Sequence, residues 1–271
     1  MSLARIPTNQ GLAVLLTPAE LAPVTVYNEG GLSPLLIVAD HAGNSIPRSL
    51  GRLGVSDADI ERHISWDIGI AAVCRTLADS LGATLIQQNY SRLVIDCNRP
   101  PSSETSILEI SQLTPIPGNI RLSEAQKNMR VREIFQPYHD RIEAEITSRR
   151  RVGRPAALIA MHSFTPTFNG VLRPWHAGVL YNRDARFARL LLALLQTEDN
   201  LVIGDNEPYD VSDATDYTIP VHAERHSLHH VAVEIRQDLI LGVEGQQEWA
   251  HRLARLLSRT YQQAISVKDS S

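Results

Sequence analysis

Cysteine is scarce: the chain holds 2 among 271 residues, Cys74 and Cys97, and neither belongs to a CxxC pair. That excludes a disulfide framework and any thiolate metal cluster, and makes a reducing compartment the expectation. Basic charge is not in excess, since 26 Lys+Arg against 30 Asp+Glu leave a net charge of −4. A nucleic-acid partner is therefore not expected, because phosphate contacts need a basic patch. No apolar run approaches the roughly 18 residues of a membrane helix. Met1 to Leu16 lacks the basic start, apolar stretch and cleavage site of a secretory signal. GxGxxG, the P-loop and the GxSxG elbow are all missing, which removes the simple dinucleotide, nucleotide and α/β-hydrolase readings. There is no internal repeat. A soluble cytoplasmic protein is expected, with its oligomeric state open, a homo-oligomer included.

What is present is enough chain to fold unaided, because at this length roughly 70–75% of the surface of the unfolded chain is buried. Residues 1–271 are read as one domain. Short apolar runs alternate with longer helical patterns, the signature of an α/β sheet flanked by helices. Leu35 to Ala39 is an unbroken apolar strand suited to burial on both faces. A loop at 40–47 follows, then a helix with Ser65 as N-cap, Asp67 in its first turn and Gly82 as its stop. Strands are expected at 83–86 and 93–97. Pro100, Pro101, Pro115 and Pro117 mark 98–122 as a long loop. A capping box at Ser123 to Gln126 opens a helix reaching Arg150, kinked near Pro137. Strands at 157–161, 178–181, 201–203 and 231–235 and helices at 184–196 and 246–265 complete the pattern.

In open α/β sheets, ligands bind at the carboxyl ends of the strands. His41 lies just past the first strand, His162 just past the strand at 157–161, and Glu234 near the end of the strand at 231–235. Asp67 can swing toward the same end. Two imidazoles and a carboxylate give zinc three ligands and leave a fourth position for water. A nearby unligated carboxylate can then move the proton, and Glu234 fits that role. Each residue also has a plain structural reading. A histidine after a strand is often a loop hydrogen-bonder, Asp67 is a favourable charge at a helix N-terminus, and Glu234 can pair with Arg236 on the same strand face.

Two further groups stand out. The run ending Asp96-Cys97-Asn98-Arg99 puts an amide and a guanidinium beside the presumed site, where Arg99 can capture a carboxylate or simply pair with Asp96. Arg173 is a candidate for a second anionic clamp. His222, His226, His229 and His230 invite a metal reading, with His222 and His226 at helical spacing. The run is not HExxH, however, and a solvated pre-strand segment or a substrate-facing edge is the competing reading.

The ordered segments Asp40-His41-Ala42-Gly43-Asn44 with Pro47, Trp66-Asp67-Ile68-Gly69, Ser91-Arg92 through Asn98-Arg99, His162-Ser163 and Glu234-Ile235-Arg236-Gln237-Asp238 resemble the N-formylglutamate amidohydrolase family. That family sits within the zinc-dependent carboxypeptidase-like and aspartoacylase-like hydrolases. The resemblance implies a phosphorylase/hydrolase-like α/β fold with a mixed central sheet and one Zn2+ per chain. It implies hydrolysis of an N-acyl amino acid, N-formylglutamate giving formate and glutamate. His41 and His162 would be ligands, Glu234 the general base and acid, and Asn98 with Arg99 the pair near the substrate carboxylate. The wider group carries a glutamate three residues after the first histidine, where this chain has Asn44. A neutral amide is a poor zinc ligand, so Asp67 is its expected replacement. Arg92 or Arg173 would assist Arg99. Two other readings stand beside this one: a carboxypeptidase or deacylase for a different N-acyl amino acid or peptide fragment, and a non-catalytic carboxylate-binding protein on the same fold.

Overall fold

The computed structural model describes residues 14–268. The first elements of the described residues are β1 (Val24–Tyr27) and β2 (Leu35–Ala39), then the short helix α1 (Asp57–Ile60), α2 (Ile70–Leu81) and β3 (Thr84–Gln88). A small hairpin of β4 (Ile110–Ser111) and β5 (Thr114–Pro115) interrupts the long loop. Helix α3 (Glu124–Arg130) runs through a π-helical turn at Val131–Phe135 into α4 (Gln136–Arg151). There follow β6 (Ala157–Phe164), a second hairpin of β7 (Thr167–Phe168) and β8 (Val171–Leu172), β9 (Ala177–Leu180), α5 (Arg186–Leu195) and β10 (Ile203–Asp205). A π-helical turn at Ile219–Glu224, β11 (His229–Arg236) and α6 (Val243–Lys268) are the last elements of the described residues.

Seven strands form one sheet in the order β1-β3-β2-β6-β11-β9-β10. The four parallel pairings are joined by antiparallel ones at β1–β3 and β11–β9, so the sheet is mixed, as expected. Alternation along the strands sends side chains to two cores. Leu35, Ile37, Ile159, Met161, Val231 and Val233 pack under α2, α5 and α6. Leu36, Val38, Leu158, Ala160 and Ala232 meet Tyr138, Ile142 and Ile146 of α4 on the other face. The central strands are covered on both sides, which is why β2 reads as an unbroken apolar run. Among the described residues no helix is long and apolar enough to cross a membrane.

The structure departs from the sequence expectations at several points that shape the site. Helix α2 starts at Ile70, after Gly69 at φ 82°, so Ser65 is not its N-cap and Asp67 precedes the helix. Ser65 instead shares a hydrogen bond with Ser91 at 2.7 Å. The run at 93–97 is buried but is a series of turns. Its amides bond locally or to the long loop, Val94 N to Ser91 O and Asp96 N to Ser106 O. Strand β6 extends to Phe164, placing His162 inside it. The break in the long helix is the π-helical turn just before Pro137. The last parallel edge strand lies at 203–205, and β1 is an additional edge strand.

Candidate active site

The site lies at the carboxyl ends of β2, β6 and β11, on the face shared with α4. Asp40 continues the register of Val38, His162 that of Ala160, and Glu234 that of Ala232, so all three project to one side. Glu234 is directly opposite His162 across the β6–β11 ladder, where neighbouring strands are about 4.8 Å apart. Asp67 is brought in by the turn before α2. Its amide donates to His41 O at 2.9 Å, and Ile70 N closes the turn onto Asp67 O at 3.2 Å. Gly69 ends that turn in the left-handed region, and a Cβ there would lie 2.3 Å from Ile240 O.

His41, Asp67 and His162 are all buried and offer ligand atoms within 4.8 Å of one another. His41 Nδ1 lies 3.6 Å and His162 Nδ1 3.1 Å from the same oxygen, Asp67 Oδ2. The two rings sit with centroids 5.2 Å apart. On their far sides, His41 Nε2 bonds Asp96 Oδ1 at 2.7 Å and His162 Nε2 lies 3.2 Å from Asp40 Oδ2. Arg92 forms an ion pair with Asp67 Oδ1, and Ser163 N donates to Asp67 Oδ2 at 3.2 Å.

The electrostatics follow from this packing. Burial opposes ionisation of Asp40, but the neighbouring His162 outweighs it and holds the carboxyl at about 2. Asp67 and Asp96 are likewise held well below the usual carboxylate range against burial, by Arg92 with the histidines and by His41. Both imidazoles are raised in turn: burial disfavours their charge, and the surrounding aspartates overcome it. Glu234 goes the other way. Burial raises it to about 7, the Asp67 charge adds to the rise, and its Oε2 finds no hydrogen-bond partner among the described residues.

These residues fit a divalent cation. His41 Nδ1 is a buried ring nitrogen without a hydrogen-bond partner, aimed at the oxygen that His162 Nδ1 also approaches. With both imidazoles neutral, as ligation requires, the carboxylates of Asp40, Asp67 and Asp96 leave the two rings in a negative surrounding that suits a cation, with Arg92 paired to Asp67. Two nitrogens and one carboxylate oxygen are the donor set zinc takes when it keeps an open position.

The other sequence candidates are distributed around this group. Arg173 is buried among Phe164, Phe168 and Tyr209, its guanidinium carbon 5.8, 4.7 and 4.8 Å from their ring centroids. Its guanidinium donates to Thr165 Oγ1 at 3.4 Å. Tyr209, raised by burial, also feels the charges of Glu234 and Arg173. Asn98 donates to Asp216 and accepts from the amides of Tyr217 and Thr218. Arg99 stands 4.0 Å from Asp216 rather than on Asp96, which is taken by His41. Arg236 pairs with Asp238, not with Glu234. Asn44 faces Glu61 at 3.5 Å, away from the trio.

The histidine run splits in two. His222 and His226 share Glu143 Oε2, at 3.5 and 2.9 Å, with His222 also 2.9 Å from His139, whereas His230 bonds Leu228 O and His229 stacks near Phe187. Strand alternation sends His229 and His230 to opposite faces. Sequence reasoning missed His63, a buried imidazole 3.7 Å from Asp67 Oδ1 that burial, with Arg92, pushes down to about 3 and keeps neutral. It also missed Asp40 and Asp96 as partners of the histidines. A carboxylate beside a histidine, and one inside an apolar run, were the available signals.

The family model for N-formylglutamate amidohydrolase matches residues 33–241. The chain is 36% identical to a gene product of Agrobacterium tumefaciens, over 93% of this chain and 99% of that one, with a TM-score of 0.90. It is similar in fold to N-formylglutamate amidohydrolase from Ralstonia eutropha, at 18% identity over 93% of this chain and 100% of that one, with a TM-score of 0.61. No curated protein matches the chain.

Proposed function

The chain belongs to the N-formylglutamate amidohydrolase family, and from that premise we propose that it is a zinc-dependent amide hydrolase acting on N-formylglutamate. The observation that carries the reading is the convergence of His41 Nδ1 and His162 Nδ1 on one oxygen of Asp67. His41, Asp67 and His162 would hold the ion. Bound there, zinc would supply a water acidic enough to ionise near neutral pH and would polarise the acyl carbonyl.

The remaining steps belong to the chain. Glu234 takes the proton of the attacking water and hands it to the amine nitrogen as the C–N bond breaks, releasing the carboxylic acid and the amino acid. Its burial, which raises the carboxyl in the metal-free site, favours return of the proton once it has been taken up. Arg92 is occupied by Asp67 and serves to keep that ligand ionised and oriented. Arg173, walled by aromatic rings and in no ion pair among the described residues, receives the substrate carboxylate. Arg99, with Asn98 behind it, supplies a second anionic contact at the rim, which suits a dicarboxylic amino acid.

The test is metal content of the purified protein, followed on the same sample by release of formate and glutamate from N-formylglutamate with and without chelator. About one zinc per chain and chelator-sensitive release are expected. Zinc with release only from other N-acyl amino acids would overturn the substrate, and failure to bind metal under any loading condition would overturn the mechanism.

A further inference from the structure

The two histidine-orienting carboxylates, Asp40 and Asp96, come from separate parts of the chain, yet both are held by one short segment. Thr218 is buried, and its hydroxyl donates to Asp40 Oδ1 at 2.6 Å, leaving Oδ2 toward His162 Nε2. On the other side, Asn98 N donates at 2.8 Å to Asp96 Oδ1, the oxygen that also meets His41 Nε2. Asn98 is itself locked to the same segment. Its Oδ1 accepts from the amides of Tyr217 and Thr218, each at 3.1 Å, and its Nδ2 donates to Asp216 Oδ1 at 2.9 Å. Asp216 in turn is fixed by Ser212 N at 3.1 Å and Thr215 Oγ1 at 2.8 Å.

We propose that residues 216–218 and Asn98 act as one brace that presents Nδ1 of both His41 and His162 to the metal position, with Thr218 as its positioning residue for His162. The physical reason is tautomeric. An imidazole donates a lone pair from Nδ1 only if Nε2 carries the hydrogen, and the carboxylate facing Nε2 selects that form and fixes the ring plane. A carboxylate free to rotate does neither. The Thr218 hydroxyl occupies one oxygen of Asp40 and so aims the other, while the Asn98 amide pins the oxygen of Asp96, Oδ1, that itself meets His41 Nε2. The brace links the two, because the Thr218 amide and the Asn98 side chain share a hydrogen bond.

This inference rests on the zinc reading above, and the measurement separates the two. Zinc affinity is read by competition with a chelating dye, together with the visible spectrum of the cobalt-loaded protein, for wild type, Thr218→Val, Thr218→Ser and Asp216→Asn. Thr218→Val keeps the shape and deletes the donor, and should weaken zinc binding about 10- to 100-fold with an altered cobalt spectrum. Thr218→Ser should restore both. Asp216→Asn should weaken binding as well, and its combination with Thr218→Val should cost less than the product of the two losses. Wild-type affinity and spectrum in Thr218→Val, or no rescue by serine, overturns the brace. If Thr218→Val yields no folded protein, wild-type affinity in Asp216→Asn overturns it instead. Absence of metal binding by the wild type would sink the site itself.

Discussion

Glu234→Gln separates chemistry from folding in a single substitution. The side chain is buried near the carboxyl end of β11, and its carboxyl is raised from 4.5 to about 7, chiefly by burial. Between those two values the unfolded chain has lost the proton while the folded one keeps it, so stability falls as pH rises through the window and stays lowered above it. The difference of 2.5 units, at about 1.4 kcal/mol each, makes the ionised Glu234 cost about 3 kcal/mol above pH 7 in the metal-free protein. Glutamine does not titrate. It carries a pH-independent penalty of about 1–3 kcal/mol if its amide stays unpaired, so the informative quantity is the change with pH rather than the absolute stability. Urea unfolding of chelator-treated wild type and variant at pH 4.5 and pH 8 should show the variant gaining on wild type by about 3 kcal/mol between the two. The same variant, loaded with zinc, should bind a full equivalent and lose about 10²- to 10⁴-fold in kcat. A stability difference that does not move with pH would refute the burial argument. Wild-type turnover would remove Glu234 from the mechanism.

His41→Ala should bind no stoichiometric zinc by elemental analysis, and should lose the stabilisation of about 2.7 kcal/mol that the wild type gains at metal concentrations 100 times Kd; full occupancy in the variant would sink the assignment. Arg173→Ala should raise KM for a carboxylate-bearing N-acyl amino acid by about tenfold or more, the size of a lost charge-assisted contact, and leave the corresponding amide unaffected; equal effects on both compounds would refute the clamp. His139 is held neutral by burial at about 3, its Nε2 directed at Cys97 O and its Nδ1 at His222. The unfolded chain takes up a proton there that the folded one refuses, so stability falls as pH drops below about 6.5, by up to about 1.4 kcal/mol per unit. His139→Gln should lose that contribution, and a pH-independent difference from wild type between pH 7.5 and 4.5 would refute it.

The legible parts of this protein are those set by local pattern. β2 and β11 declared themselves because a strand covered on both faces needs an unbroken apolar run, and Leu35–Ala39 and the core of His229–Arg236 provide one. Once β2, β6 and β11 are adjacent and parallel, His41, His162 and Glu234 must gather at one edge of the sheet. The illegible parts depend on partners far along the chain. Leu93 to Cys97 has the composition of a strand, but its backbone is satisfied by Ser91 and Ser106 instead of a neighbouring strand. Trp66-Asp67-Ile68-Gly69 looks like the first turn of a helix, yet Gly69 at φ 82° holds Asp67 outside it and against His41. The same limit governs the chemistry. Residue type and strand position nominate a histidine as a ligand, but which nitrogen it presents depends on the carboxylate facing the other one, and His41 meets Asp96 from 55 positions away. Asp96 read locally is a partner for Arg99. Only the tertiary arrangement turns it toward His41, sends Arg99 to Asp216, and leaves His41 Nδ1 directed at Asp67.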